Sequence, residues 1–178
     1  ATQIYEKRKL DYRIATGSKN LDELLGGGIE TRAITELYGE YGTGKTQICH
    51  TLCVTVQQND AEGNLSRALY VDTENTFRPE RIAAIASARK FDPNKTLENV
   101  IVAKAYNSSH QEVIIQESPN IINLHNIRIM IVDSIVSHYR AEFLGRSFLS
   151  ERQQRINRLL HILLRIAETC KIAVVITN

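Results

Sequence analysis

The sequence predicts an α/β fold in which a mostly parallel central β-sheet carries helices on both faces. Short apolar segments alternate along the chain with segments of helical pattern. Several apolar segments are rich in β-branched residues without strict alternation, as strands buried on both faces of a sheet require. The chain has 178 residues, of which 43% are hydrophobic, enough for a sizeable core. The resulting order βαβαβαβαβ implies right-handed crossovers between parallel strands.

The elements follow in chain order. Five strands are predicted: Ala33–Tyr38, Ala68–Asp72, Val100–Ala103, Ile127–Asp133 and Ile172–Thr177. Five helices are predicted: Leu21–Leu25, Lys45–Gln58, Pro79–Arg89, Ser109–Glu117 and Ser150–Cys170. Because proline cannot donate a backbone hydrogen bond, Pro119 predicts a break near Ser118.

Composition excludes several classes of protein. The net charge is only +2, so any role with nucleic acid must rest on a local basic patch. No run of 18 apolar residues exists, so no membrane span is expected. The three cysteines are too few for a disulfide scaffold and favour a reducing compartment. Cys49 and Cys53 lie four residues apart on a predicted helix, where small buried hydrophobes are favoured over metal ligands.

A glycine-rich segment follows the first predicted strand. Its residues fit G-x-x-x-x-G-K-[ST], the phosphate-binding loop pattern: Gly39, Glu40, Tyr41, Gly42, Thr43, Gly44, Lys45 and Thr46. Glycines let successive backbone N–H groups point at phosphate oxygens, and the helix that follows directs its positive end at the same anion. Lys45 would supply charge to the outer phosphates, and Thr46 a hydroxyl ligand for Mg²⁺. The alternative is a glycine-rich turn in a structural loop.

Two further strands end in carboxylates. Arg128 to Asp133 is an apolar strand with a terminal aspartate, the Walker B form, in which the aspartate holds Mg²⁺, usually through water. A second strand ends at Asp72, and Glu74 follows it. Since ligands bind at the carboxyl ends of parallel strands, Glu74 is predicted beside the phosphate loop, where it could deprotonate an attacking water. From spacing alone, a helix N-cap at Asp72 or Glu74 is equally favoured.

A basic cluster lies towards the end of the sequence. Between Tyr139 and Arg165 there are six arginines and no lysine, with only two glutamates. The six are Arg140, Arg146, Arg152, Arg155, Arg158 and Arg165. The part from Ala141 to Ser147 is expected to be an exposed loop that carries Phe143, and basic charge beside an aromatic suits single-stranded nucleic acid. For Arg155, Arg158 and Arg165, a solvated helix face is favoured.

Together these segments resemble a known family. The matching parts are Thr16–Thr31, the phosphate loop with Gln47, Asp72–Arg81, Ala105–Gln111, Ile131–Ser134 and Gly145–Gln154. They resemble the archaeal and eukaryotic branch of the RecA-like strand-exchange recombinases, over about Leu10 to Asn178. The resemblance implies a P-loop NTPase of RecA type, with residues 1–178 as a single ATPase core domain.

The resemblance also implies roles for residues. Glu74 would activate water and Lys45 would act beside it, on ATP with Mg²⁺ held by Thr46 and Asp133. The nucleotide would contact the phosphate loop and Gln47, with Arg81 along the adenine. Further implied roles are DNA binding by Arg140, Phe143, Arg146 and Arg152, and a pocket for a Phe-x-x-Ala segment at Tyr70, Ile101 and Ala103.

The implied function is a DNA-dependent ATPase of homologous recombination and DNA repair. It would bind single- and double-stranded DNA, assemble with itself into filaments, bind Phe-x-x-Ala proteins, and be cytoplasmic and associated with the nucleoid. Family parts expected to be absent are the N-terminal helical domain, its linker and the end of the core. We therefore expect a monomeric, weakly active fragment. Alternatives are an excised or engineered module that binds nucleotide and Phe-x-x-Ala peptides, or a regulatory recombinase paralogue.

Overall fold

A five-stranded, entirely parallel sheet organises the chain, which we describe from a computed structural model. The described residues are Thr2, 12–57 and 65–178. Within them the sheet has the order β3-β7-β6-β4-β5. A separate antiparallel ribbon is formed by β1 and β2. The parallel sheet confirms the predicted fold class.

All five predicted strands of the main sheet are present. The strands are β1 Arg13–Ile14, β2 Ile29–Glu30, β3 Ile34–Leu37, β4 Arg67–Asp72, β5 Val100–Lys104, β6 Ile127–Asp133 and β7 Ala173–Thr177. The α-helices are α1 Lys19–Leu24, α2 Lys45–Thr55, α3 Pro79–Ala88, α4 Pro93–Glu98, α5 Ser108–Leu124, α6 Ser137–Glu142 and α7 Leu149–Cys170, with a 3₁₀ turn at Arg146–Phe148. Helix α2 ends at Thr55, before the predicted end at Gln58, a residue that lies outside the described part of the chain. No helix of the described part is long and apolar enough to cross a membrane.

Two apolar clusters cover the two faces of the sheet. On one face α2 and α3 pack against alternate strand residues that include Ala68, Tyr70 and Ile131. On the other face α5, α6 and α7 pack against the intervening residues, which include Leu69 and Val71. Successive residues of a strand point to opposite faces, so β4 is buried on both sides. This explains why the strand segments show no polar alternation.

The predicted helix break near Ser118 is wrong. Helix α5 continues through Pro119 to Leu124. Pro119 cannot donate to the carbonyl of Ile115, but the hydroxyl of Ser118 donates to that same oxygen at 2.8 Å. Ile115 and Ile122 are buried on the same helix face, on either side of the proline. The side-chain hydrogen bond replaces the missing backbone bond, and burial of this face keeps the helix continuous.

The segment predicted as a loop from Ala141 to Ser147 is shorter in the structure. Helix α6 extends to Glu142, whose carboxylate accepts hydrogen bonds from the backbone N–H and the hydroxyl of Ser108. This contact ties the end of α6 to the start of α5. The exposed loop therefore begins only at Leu144.

Candidate functional site

The carboxyl ends of four parallel strands meet at one edge of the sheet. The register pairs Leu37 with Thr177 and Asp72 with Asp133. The glycine-rich loop follows Leu37, and the loop with Glu74 follows Asp72. The fold thus places the two predicted halves of the site beside each other, although they are far apart in the sequence.

The phosphate loop leads directly into α2. Gly42 and Gly44 have φ angles of 82° and 94°, in the left-handed region that favours glycine. Gly44 is the N-cap of α2 and offers no side chain, so the first N–H groups of the helix face the cleft unobstructed. The Lys45 ammonium donates to the backbone carbonyls of Gly39 at 2.6 Å and Glu40 at 2.9 Å. The loop therefore gathers a positive side chain and a helix N-terminus around one space.

Asp133 lies at the centre of a group of hydroxyls. Its Oδ2 accepts hydrogen bonds from Thr46 at 2.9 Å and from Tyr70 at 2.6 Å. Its Oδ1 accepts from Thr177 at 2.5 Å. Asp133 is only 3% exposed. The Walker A hydroxyl and the Walker B carboxylate are therefore in direct contact.

Asp72 and Glu74 have different surroundings. Asp72 is buried, and its carboxylate accepts the backbone N–H groups of Glu74, Thr76 and Phe77 at 3.1–3.3 Å. Helix α3 begins after Arg78, which makes no side-chain capping bond. Asp72 therefore fixes the connecting loop, and neither carboxylate is a helix N-cap.

Glu74 is exposed and lines the cleft next to the phosphate loop. Partial burial raises the pKa of its carboxyl above 4.5, and the nearby Asp133 and Asp72 add to the rise. Lys45 and Arg140 oppose it by stabilising the charged form. A carboxylate with a raised pKa is a better proton acceptor near neutral pH than an ordinary glutamate.

The cleft has a volume of about 580 Å³. It is lined by most of the predicted nucleotide and metal residues: Gly39, Tyr41, Gly42, Gly44, Lys45, Thr46, Gln47, Glu74 and Asp133. Glu40 and Thr43 do not line the cleft, and the Thr43 hydroxyl donates to the Glu40 backbone carbonyl at 2.8 Å. Arg81 lies beyond the cleft lining, and its Nε donates to Gln47 Oε1 at 2.6 Å.

Several lining residues were missed by sequence reasoning. They are Thr76, Arg78, Ser134, Thr177 and Asn178, and Arg140, which was assigned only to DNA. Ser134 and Asn178 directly follow β6 and β7, Thr177 ends β7, Thr76 and Arg78 lie in the loop after β4, and Arg140 lies on α6. The rule that ligands bind at the carboxyl ends of parallel strands predicts lining residues in these positions.

The cleft fits a nucleotide with Mg²⁺. Cationic Lys45 and the free N–H groups of α2 suit phosphate oxygens. The Thr46 hydroxyl and the Asp133 carboxylate are hard oxygen donors of the kind that Mg²⁺ prefers, and they lie within 2.9 Å of each other. The acidic and the cationic groups therefore occupy positions that a metal–phosphate ligand would neutralise.

The arginines separate into three environments. Arg140 and Arg152 line a second groove of about 680 Å³ between α7 and the β3 side of the sheet. Arg140 also donates to Asn178 at 2.9 Å, so it lies between this groove and the cleft beside the phosphate loop. Arg146 is exposed in the 3₁₀ turn. Arg155 is held by Glu151 at 3.3 Å and is therefore engaged within the fold.

Phe143 differs from the exposed aromatic that the sequence predicted. It is partly buried against the core, with its ring 6.3 Å from that of Tyr139 and 4.9 Å from the Arg155 guanidinium. A base could not stack on both faces of a ring that already has these neighbours. The accessible aromatic of this segment is Phe148, which is 48% exposed.

The predicted partner pocket is only partly brought together, and the assignment of Tyr70 to it is wrong. Tyr70 is fully buried, on the face of the sheet covered by α2. Ile101 and Ala103 lie on β5, the outermost strand on that side within the described residues, and pack towards the opposite face. Tyr70 therefore cannot share an open surface with them, because successive residues of a strand point to opposite faces of the sheet.

Comparison with known proteins gives consistent matches. Residues 7–178 match the family model described as Rad51. A protein of Cenarchaeum symbiosum named DNA repair and recombination protein RadA is 52% identical over 99% of this chain and 45% of its own length. Proteins of the same name are 52% identical in Metallosphaera sedula, over 100% of this chain and 56% of theirs, and 53% identical in Aeropyrum pernix, over 93% and 52%. The chain spans about half the length of these curated relatives.

Proposed function

Since the chain belongs to the Rad51 family, we propose that it forms the ATPase core of a DNA-binding recombinase that acts in homologous recombination and DNA repair. The observation that carries the proposal is the meeting of Lys45, Thr46, Asp133 and Glu74 around one cleft. A module that only bound peptides would have no use for a carboxylate of raised pKa beside a phosphate loop. This arrangement supports an enzyme over a binding module.

The residues of the cleft divide the reaction between them. Lys45 and the N–H groups of α2 bind the phosphates and stabilise negative charge on the oxygens. Thr46 and Asp133 would hold Mg²⁺, which neutralises phosphate charge when it is bound. Glu74 orients a water molecule and accepts its proton as the water attacks the terminal phosphate. The bond from that phosphorus to the bridging oxygen breaks, so ADP leaves and inorganic phosphate is the other product. Asp72 holds the Glu74 loop, so the base stays at the cleft.

The test separates hydrolysis from binding. In Glu74→Gln the side chain keeps its size but can no longer accept the proton, so turnover should fall about 10²–10⁴-fold with little change in ATP affinity. Glu80→Gln is the matched control, because Glu80 is exposed in the first turn of α3 and does not line the cleft. ATP hydrolysis by Glu74→Gln at the parental rate would refute the assignment of the base.

We further propose that Arg140, Arg146 and Arg152 bind the DNA backbone. Arg140 and Arg152 line one groove and Arg146 is exposed in the turn that leads into α7. Guanidinium groups bind phosphate in a forked geometry without reading bases, which suits a protein that must act on any sequence. In this proposal Phe148 replaces Phe143 as the residue available for stacking.

The partner surface for Phe-x-x-Ala segments is proposed at Ile101 and Ala103 without Tyr70. Both residues are partly buried on β5. Leu69 and Val71 of the neighbouring strand belong to the apolar cluster against which Ile101 and Ala103 pack, so this surface is continuous with the core. We also propose that copies of the chain assemble with each other through this surface.

A further inference from the structure

The Walker B carboxylate is fixed by more than the phosphate loop. Three hydroxyls donate to Asp133, from Thr46 on α2, Tyr70 on β4 and Thr177 at the end of β7. Thr46 and Thr177 line the nucleotide cleft, whereas Tyr70 does not. Tyr70 therefore reaches Asp133 from the interior of the protein.

Tyr70 is itself held in place by aromatic neighbours. Its ring stacks on His50 at 5.6 Å and is tilted against Phe77 at 5.0 Å. The ring is fully buried, so the hydroxyl has no water with which to exchange its hydrogen bond. His50 is also buried, and its two ring nitrogens have no hydrogen-bond partner among the described residues. Burial lowers the pKa of His50, which keeps the imidazole neutral and suited to apolar stacking.

This arrangement restricts what Asp133 can do. A carboxylate offers about four lone-pair sites, and three of them are used by hydroxyl donors. Rotation about the side chain would break the bond to the rigid Tyr70 ring or the bond to Thr177. One lone-pair site therefore remains, and Asp133 has little freedom to swing towards a metal ion, which favours contact through a bridging water.

We propose that Tyr70 is a positioning residue of the metal site: with Thr177 it holds Asp133 in place for water-mediated contact, and so makes the site select Mg²⁺ over Ca²⁺. The chemistry of the two ions supplies the reason. Mg²⁺ keeps several of its waters in proteins, whereas the larger Ca²⁺ takes carboxylates directly in a flexible shell. This inference rests on the proposed nucleotide site.

The experiment measures ADP affinity of the protein by calorimetry in EDTA, across a MgCl₂ series and across a CaCl₂ series. In Tyr70→Phe, the half-saturating Mg²⁺ concentration should rise about tenfold, the scale of lost support behind a metal ligand. Half-saturating Ca²⁺ should change less, so the preference for Mg²⁺ over Ca²⁺ narrows. ADP affinity in EDTA should stay at the parental value, because the phosphate loop is unchanged.

The matched control is Tyr139→Phe. Tyr139 is also fully buried, and its hydroxyl also donates to a carboxylate, that of Glu112 at 2.9 Å, but on the opposite face of the sheet. The Tyr139→Phe variant should leave the preference for Mg²⁺ over Ca²⁺ unchanged. If Tyr70→Phe does not fold, Thr177→Val takes its place, because it removes the hydroxyl that donates to the other oxygen of Asp133. Thr177→Val must then narrow the preference for Mg²⁺ over Ca²⁺ in the same way.

The outcomes separate this inference from the proposed function. An unaltered metal preference in the folded variant, or equal weakening in EDTA, Mg²⁺ and Ca²⁺, would overturn the role of Tyr70. That role would also be overturned if Tyr139→Phe shifted the preference as strongly. Absence of ADP binding by the parent protein would overturn the nucleotide site itself, and the inference with it.

Discussion

One buried carboxylate holds the loop that carries the proposed base, which makes Asp72→Ala an informative perturbation. Asp72 is 4% exposed and accepts three backbone N–H groups, at 3.3, 3.1 and 3.2 Å. Each hydrogen bond to a charged group contributes about 1.5–3 kcal/mol. Some of the freed amides would turn to water, so the expected loss in free energy of unfolding is about 2–4 kcal/mol.

Asp72→Ala should also affect catalysis without affecting binding. Glu74 follows Asp72 by two residues and loses its anchor, and a misplacement of about 1 Å costs about 10²-fold in rate. Lys45 and Thr46 belong to α2 and keep their contacts with Gly39 and Asp133. We therefore expect turnover about 10²-fold lower with ADP affinity near the parental value.

The assays are urea unfolding, steady-state ATP hydrolysis and calorimetry of ADP binding. Asp92→Ala is the control, because Asp92 accepts the N–H groups of Asn94 and Lys95 as the N-cap of α4. It should cost about 1 kcal/mol of stability and leave turnover unchanged. Parental turnover in folded Asp72→Ala, or equal loss of turnover in Asp92→Ala, would refute the reasoning.

Three other predictions concern the cleft and the arginines. Lys45→Ala should weaken ATP binding by about 1–3 kcal/mol in calorimetry, because a charge-assisted contact is lost, and undiminished affinity would contradict the phosphate site. Glu74 acts deprotonated and its pKa lies above 4.5, so kcat/KM should fall with decreasing pH through that raised pKa, and an acid limb at or below pH 4.5 would contradict its role. Arg146→Ala should lower the salt dependence of single-stranded DNA affinity by about 0.7 in log–log slope, while Arg158→Ala, exposed on α7, should not; equal slopes would move DNA binding elsewhere.

The strands and the candidate site residues were predictable for different reasons. The strands show as apolar runs because both faces of the sheet are covered. Lys45, Thr46 and Asp133 were predictable because phosphate and Mg²⁺ chemistry demands those residue types at fixed positions relative to a strand and a helix. Glu74 was placed at the rim because ligands bind at the carboxyl ends of parallel strands, but spacing alone left a helix N-cap at Asp72 or Glu74 equally favoured.

The failures share a physical cause, which is the direction in which individual side chains point. A proline normally ends a helix, but the Ser118 hydroxyl satisfies the carbonyl that Pro119 leaves without a donor. The sequence around Phe143 is that of an exposed loop, yet Arg155 from α7 covers its ring. Both contacts join residues whose relation depends on side-chain direction, and a pattern of residue types does not specify that direction.

The contact between Tyr70 and Asp133 can be inferred from strand register, although the hydrophobic pattern alone does not reveal it. The run from Ala68 to Asp72 is buried on both faces, so hydrophobicity cannot tell which residue faces α2. A tyrosine hydroxyl in such a run must still find an acceptor, because a buried polar group without one is costly. The pairing of Asp72 with Asp133 places a carboxylate two positions beyond Tyr70 on the adjacent strand. The core tyrosine and the proposed metal carboxylate are thus joined by one hydrogen bond, so a change in the packing of His50 or Phe77 against the ring would directly affect the proposed nucleotide site.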